Sequence, residues 1–476
     1  MSLLDALTSP RFWPLARRPA PLPLHLPAHG RGRGLAPALR RLLRQPPGSW
    51  DLPELPAIGG PLEAGGAVAA AQRRQAERLG AERCWFGVNG ASGLLQAALL
   101  ALAAPGQRVL LPRQLHRSLL HGCLLGGIEP LLFDLPFDPA SGLWLPPSAA
   151  HLEAVLESAQ AGALAGGGEL AAVVLLQPSY QGLAGDLAAW VSSCHRRGLP
   201  VLVDGAHGAH HGLLPELPAA ALACGADLVV LSLQKAAGGL AQSAVLLQQG
   251  ERVDAAALER SLLWMQTSSP SALLLASAEA SLDFLHSPAG RRQLGRAMAL
   301  GLRLQQRCRA EGLPLLASSD PLRLLLNTAA LGINGLEADA WLLERGVIAE
   351  LPEPGCLTFC LGMVPPRGVL RRLPAALLAL RRARAGPALQ PFEPPPLPLV
   401  AQLEWPLGQA WRAASEAVPL AAAVGRLAAE PLCPYPPGIP LLVPGERIDA
   451  ARARWLQRQQ PLWPGQIADT VRVVAE

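Results

Sequence analysis

Lysine is almost missing from this chain. Of its 41 basic side chains all but one are arginine, and the exception is Lys235. Forty-one basic against 36 acidic residues leave +5 over 476 residues, too little for an argument toward nucleic acid or a membrane surface. Cysteine is scarce as well. The eight cysteines include no C-x-x-C pair, which fits reduced side chains of a cytoplasmic protein; Cys356 and Cys360 lack a His/Cys cluster, so no metal site is expected. The N-terminus has no basic stretch followed by an apolar run, so no secretory signal is read there. The longest charge-free stretch, Cys84–Gln107, carries Asn89, Ser92, Gln96 and several glycines and reads as strand, turn and helix rather than a membrane span. No repeat of 20–50 residues is visible.

What is present is a globular composition: half the residues are hydrophobic and 16% are charged. Short apolar runs alternate with Ala/Leu-rich helical stretches. The runs are CWFGV (84–88), RVLLP (108–112), AAVVLLQ (171–177), PVLVD (200–204) and ADLVVLS (226–232). Apolar throughout, they read as buried strands of a mainly parallel sheet in an α/β fold. The chain divides on this reading into an N-terminal arm (1–60), a major domain (61–290), a small α+β segment (291–385), a Pro-rich linker (386–400) and a C-terminal α+β domain (401–476).

The strand ends carry the chemistry, because ligands of open parallel sheets collect beyond the carboxyl ends. After CWFGV come Asn89, Gly90, Ala91, Ser92 and Gly93, small residues opening a helix. Their backbone N–H groups suit a phosphate, and a plain helix cap by Ser92 or Asn89 is the alternative. After RVLLP comes His116, and after PVLV come Asp204, Gly205, Ala206 and His207. A carboxylate ending a buried strand is costly unless paired. ADLVVLS leads into Leu233, Gln234 and Lys235. Arginine is a poor nucleophile, whereas a lysine amine can lose its proton and form a Schiff base. A phosphate cradle, an imidazole, a carboxylate and a sole lysine on adjacent strand ends match the needs of pyridoxal 5'-phosphate.

At these residues the sequence resembles the ornithine/lysine/arginine decarboxylase family. Leu24-His25-Leu26-Pro27-Ala28-His29-Gly30-Arg31-Gly32 resembles its F-x-x-P-G-H-x-x-G opening, with Ala28 in place of glycine, and Gln177-Pro178-Ser179-Tyr180-Gln181-Gly182 its P-T-Y-x-G turn. Val203-Asp204-Gly205-Ala206-His207-Gly208-Ala209-His210 resembles V-D-E-A-H-G-A-H, and Gln266-Thr267-Ser268-Ser269-Pro270-Ser271 resembles Q-T-T-S-P-S. Pro434-Tyr435-Pro436-Pro437-Gly438-Ile439-Pro440, followed by Pro444-Gly445-Glu446, matches P-Y-P-P-G-I-P…P-G-E. The resemblance implies the aspartate-aminotransferase architecture (fold type I, a PLP-dependent transferase-like major domain) and the short form without a receiver-like N-terminal domain. It implies a homodimer with sites at the interface and α-decarboxylation of arginine, lysine or ornithine in polyamine biosynthesis.

The roles the resemblance implies are these. Lys235 carries the cofactor, Asp204 pairs with its ring nitrogen, and Ala206 and His116 cover the ring faces. Ser92 with the amides of Ala91 and Gly93, joined by Ser232, holds the phosphate. Ser268 or Ser269 reaches the partner subunit's cofactor, and His207 lies beside cofactor and substrate. Gln234 stands where the family often has histidine; glutamine can bind phosphate but cannot transfer protons. Gly205 stands where the family motif has glutamate. Glu350 sits at a family-like position and is the candidate for the substrate's cationic end, with a solvated glutamate after a short strand as the other reading. Two rival functions use the same residues: another fold type I enzyme such as an aminotransferase, and a weakened, cofactor-binding relative with a regulatory role.

Overall fold

The computed structural model describes residues 21–164, 168–435 and 438–475. Its frame is an eight-stranded sheet. In chain order the strands are β1 (Arg83–Gly87), β2 (Arg108–Pro112), β3 (Glu129–Phe133), β4 (Leu170–Leu176), β5 (Val201–Asp204), β6 (Leu228–Ser232), β7 (Ala244–Gln248) and β8 (Val400–Ala401). They lie side by side in the order β8-β3-β2-β4-β5-β6-β7-β1. The four pairings from β3 to β6 all run parallel, while β7 pairs antiparallel with both β6 and β1, and β8 antiparallel with β3.

Away from their ends the strands are apolar because both faces are covered. Val173, Leu175, Val201, Val203, Val229 and Leu231 point into one core, and Ala172, Val174, Leu202, Leu228 and Val230 into the other. Three strands escape the run-based reading: EPLLF (129–133), AVLLQ (244–248) and the two-residue edge at 400–401. The connection from β6 to β7, residues 233–243, is too short for a parallel crossover, so β7 must return antiparallel. That short return carries Lys235.

Residues 291–385 contain a four-stranded antiparallel sheet, Leu315–Leu316, Arg323–Asn327, Cys356–Cys360 and Leu351–Glu353. It is flanked by the helices Pro288–Ala310 and Val369–Arg384. The described part of the N-terminal arm lies along this unit. Leu22–Pro23 pairs with Val347–Ile348, and the Ala28 N–H then donates to the Gln234 carbonyl at 3.0 Å. The sequence expectation for residues 1–20 lies outside the described residues. Beyond the Pro-rich stretch, an antiparallel strand pair of Ser415–Pro419 and Thr470–Val474 packs with helix Ala450–Gln459 around Leu420, Leu442, Ile448 and Leu456. Among the described residues no helix is long and apolar enough to cross a membrane.

Candidate active site

The carboxyl ends of β1, β2, β5 and β6 converge on one cavity of about 420 Å³. That volume suits a cofactor-sized ligand. Its lining includes Ala91, Ser92, His116, Asp204, Ala206, His207, Ser232, Gln234 and Lys235, so nine of the sequence-selected residues share it. Gly93 belongs to the first turn of helix α1 (Gly90–Leu102) just behind. Gly90 turns the chain from β1 into this helix at φ +70°, a conformation open to glycine without strain.

No side chain caps α1. Asn89 instead donates from Nδ2 to the Met265 carbonyl at 2.9 Å. The capping alternative for Asn89 is thereby removed, and the helix N-terminus faces the cavity with its favourable dipole. His116 caps the helix α2 (Arg117–Gly126): its Nδ1 meets Ser118 Oγ at 2.8 Å, which fixes the ring. Burial lowers the His116 pKa, opposed by the Asp204 carboxylate. Asp204 ends β5 nearly buried and accepts from the Ala206 N–H at 3.1 Å, leaving its other oxygen for a ligand.

Lys235 stands on the single-turn helix α3 (Leu233–Ala236), with Nζ 3.0 Å from His207 Nε2 and 5.6 Å from the centre of the Tyr180 ring. On its other side His207 Nδ1 faces Nη2 of Arg323 at 3.5 Å. A guanidinium only donates, so His207 Nδ1 must accept and the ring proton must sit on Nε2. Nε2–H then donates to Lys235, which has a lone pair to offer only as the neutral amine. The surroundings agree. Burial, with Asp204 opposing, lowers the Lys235 pKa, and burial together with the Arg323 guanidinium holds His207 well below its ordinary value. Arg323 is kept in place beside Asp320, whose Oδ2 is 3.1 Å from His210 Nε2.

Three expected residues lie elsewhere. Glu350 does not line the cavity and is not freely solvated: its carboxylate accepts from the Tyr180 hydroxyl and, at 2.6 Å, from the Leu26 N–H. It stands behind Tyr180 and holds that ring against His207, 4.4 Å between centres. Ser268 and Ser269 are exposed and outside the cavity, on the segment that leaves Met265 beside Asn89.

Sequence reasoning assigned no role to Tyr180, Gln242 or Arg323. Tyr180 had a signal, being one of only two tyrosines in the chain. Gln242 lines the cavity at φ +71° and accepts from the Gly90 N–H at 2.9 Å, a strained non-glycine residue joining the lysine turn to the helix N-terminus. Arg323 is hidden among 40 arginines, and nothing local distinguishes it.

These residues fit pyridoxal phosphate: a buried amine whose pKa burial lowers, a buried carboxylate with an oxygen left for a ligand, and a helix N-terminus no side chain occupies, all on one cavity. Among the described residues no group of three or more His, Cys, Asp or Glu is placed to hold a metal ion.

Comparison with known proteins gives the same answer. The family model for the Orn/Lys/Arg decarboxylase major domain matches residues 24–322, and that for the family's C-terminal domain matches residues 406–462. The arginine decarboxylase of Halalkalibacterium halodurans is 30% identical over 92% of this chain and 90% of its own length. That of Bacillus subtilis is 30% identical over 90% of this chain and 88% of its own. Among solved structures, lysine decarboxylase A from Pseudomonas aeruginosa superposes with a TM-score of 0.76 at 18% identity, covering 94% of this chain and 82% of that one, a likeness of fold. With its cavity and both domains matched, the chain belongs to the Orn/Lys/Arg decarboxylase family, fold type I amino-acid decarboxylases whose cofactor is pyridoxal 5'-phosphate.

Proposed function

We propose that this protein removes the α-carboxyl group of a basic amino acid, arginine first among arginine, lysine and ornithine, giving the corresponding amine for polyamine biosynthesis. The observation that carries the reading is the contact of Lys235 Nζ with a His207 whose tautomer Arg323 dictates, at the rim of a cavity that also holds Asp204. Arginine is favoured because the 30% identical relatives are arginine decarboxylases.

In this reading Lys235 carries the cofactor, and its neutral amine is what permits attachment. Asp204 would pair with the ring nitrogen, and Ala206 and His116 would cover the ring. Ser92, Ser232, Gln234 and the amides of Ala91 and Gly93 hold the phosphate. The bound cofactor supplies the sink for the electron pair left when carbon dioxide departs. Lys235 would be placed to return a proton to the α-carbon, with the Nε2–H of the neighbouring His207 orienting its amine. Glu350 acts by fixing Tyr180 rather than by touching substrate. Leu263 and Trp264, 67% and 84% exposed, precede Ser268 and Ser269 on one segment. This supports a homodimer in which that segment meets the partner's cavity. The scarcity of cysteine and the lack of a C-x-x-C pair support a cytoplasmic location.

The test is amine formation by purified protein with pyridoxal phosphate and each of the three amino acids, with Lys235→Ala as control. Agmatine as the main product from the parent alone is the expected result. Cadaverine or putrescine would reassign the substrate, and no amine despite a lysine-dependent cofactor absorbance would overturn the reading.

A further inference from the structure

The chain is poor in aromatic residues, with 2 tyrosines, 7 phenylalanines and 11 tryptophans, yet five of these rings meet in one cavity. It lies where the C-terminal domain meets the rest of the chain. Phe137 and Trp144 come from two short paired strands after β3 and pack edge to face, 5.9 Å between centres. Trp455 and Trp463, 6.5 Å apart, come from the C-terminal helix and the turn beyond it. Phe392 of the Pro-rich linker completes the wall. It lies so close to the backbone that a Cβ on Gly355 would come within 2.6 Å of its Cε2.

One acidic group ends inside. Glu353 is 3% exposed and lines the cavity. Its Oε2 accepts from Gln181 Nε2 at 2.7 Å, whereas Oε1 accepts no hydrogen bond among the described residues and is open to the cavity. No lysine, arginine or histidine among the described residues lines the cavity, although the chain holds 41 lysines and arginines. Burial raises the Glu353 pKa to about 7, with only the Gln181 hydrogen bond opposing. The other carboxylate of the lining, Glu393, is half exposed and already held by Arg458 at 2.6 and 3.0 Å. A buried carboxylate calls for a cationic partner, and aromatic rings attract organic cations over their faces. Both features select the same charge. The volume of about 50 Å³ admits about three or four water-sized groups, the size of a guanidinium or ammonium head. The cavity shares Ile439 with the cofactor cavity, and Gln181, which holds Glu353, follows Tyr180 in the chain.

We propose that this cavity binds the cationic head of a small amine or guanidine, the chemical class of the decarboxylation product, between Glu353 Oε1 and the aromatic wall. The cationic class follows from the site itself. The product as its occupant rests on the proposed function and on the wall that the two cavities share at Ile439.

The experiment uses protein loaded with pyridoxal phosphate at pH 8, where Glu353 is ionised. Methylguanidinium and agmatine are titrated separately at constant ionic strength, read by tryptophan fluorescence and isothermal titration. Trp144, Trp455 and Trp463 report on this cavity, and among the described residues no tryptophan lines the cofactor cavity. Methylguanidinium has no primary amine with which to attach to the cofactor. The expected result is a saturable fluorescence change with methylguanidinium, weakened at least about tenfold in Glu353→Gln, the loss of one charge-assisted hydrogen bond. Trp463→Leu should weaken binding about threefold or more, and Trp463→Phe less, because the second variant keeps a ring. Tighter binding of agmatine than of methylguanidinium supports the product as occupant. No saturable response to either cation beyond that of sodium overturns the proposal. So does a response of parent strength in both Glu353→Gln and Trp463→Leu. Amine formation is measured separately: its absence with the cation response intact removes the proposed function and supports the cation site alone.

Discussion

Replacing Glu446 by alanine should damage the protein far from the cofactor, and the structure sets how much. Glu446 is 2% exposed and Arg113 fully buried. The carboxylate accepts from both terminal nitrogens of Arg113, one of them at 3.0 Å, from Arg452 Nη1 at 3.2 Å and from the Val443 N–H at 2.9 Å. Removing one partner of a buried ion pair costs about 3–5 kcal/mol, and the stranded Val443 N–H adds about 1 kcal/mol. Unfolding entropy of about 2.1 cal/mol/K per residue converts this into a fall of about 4–6 °C in Tm if the whole chain melts as one unit. If the roughly 75 residues after the linker melt by themselves, the same energy lowers their transition by over about 20 °C. Scanning calorimetry separates the two.

There is a functional side to this variant. Arg113 also donates to the carbonyls of Pro440 and Leu441 and lies three residues before His116. Through Gly438 and Ile439 the same C-terminal loop reaches the active-site cavity. Cofactor affinity should therefore fall with stability. Neutral replacement of both partners, Arg113→Met with Glu446→Met, should recover most of the loss, since no buried charge is left alone. A Tm within 1 °C (about 1 kcal/mol on the whole-chain scale) of the parent for Glu446→Ala, or a double variant no better than the single, would refute the reasoning.

Other consequences can be measured directly. Lys235→Ala should abolish the lysine-dependent cofactor absorbance and reduce amine formation below about one-thousandth of the parent rate; retained turnover would remove Lys235 from the mechanism. Arg323→Met deletes a charge that lowers the pKa of both Lys235 and His207. The pH above which cofactor attachment becomes fast should therefore rise, and an unmoved pH profile would refute the influence of Arg323 on Lys235. Glu353, 3% exposed, has its pKa raised by burial to about 7, with Gln181 donating to it at 2.7 Å. The folded state holds this proton more tightly than the unfolded chain, so stability falls as pH rises from about 4.5 to 7 and is level above, a loss of about 3 kcal/mol. Glu353→Gln should therefore melt higher than the parent at pH 8 and equally at pH 4.5; an equal gain at both would refute the assignment.

The residues that determine the chemistry were legible in the sequence because they are local. A strand end, a helix start and a short return each occupy a few consecutive positions. Lys235, Asp204, His116 and Ser92 announced themselves by residue type at such points, Lys235 most clearly because composition left no other lysine. The mainly parallel sheet was legible from its doubly buried apolar runs, though not β3, β7 or the two-residue edge strand β8. Tertiary structure decided whatever depends on partners distant in the chain. Arg323 comes from a different sheet and fixes the His207 tautomer from 116 residues away. Glu350 was turned from a substrate candidate into the anchor of Tyr180 because Leu26, 324 residues earlier, meets it. Glu446 finds Arg113 across 333 residues. Hydrogen bonds between buried charges are set by the geometry of the folded chain, and local sequence pattern has no access to separations of that length.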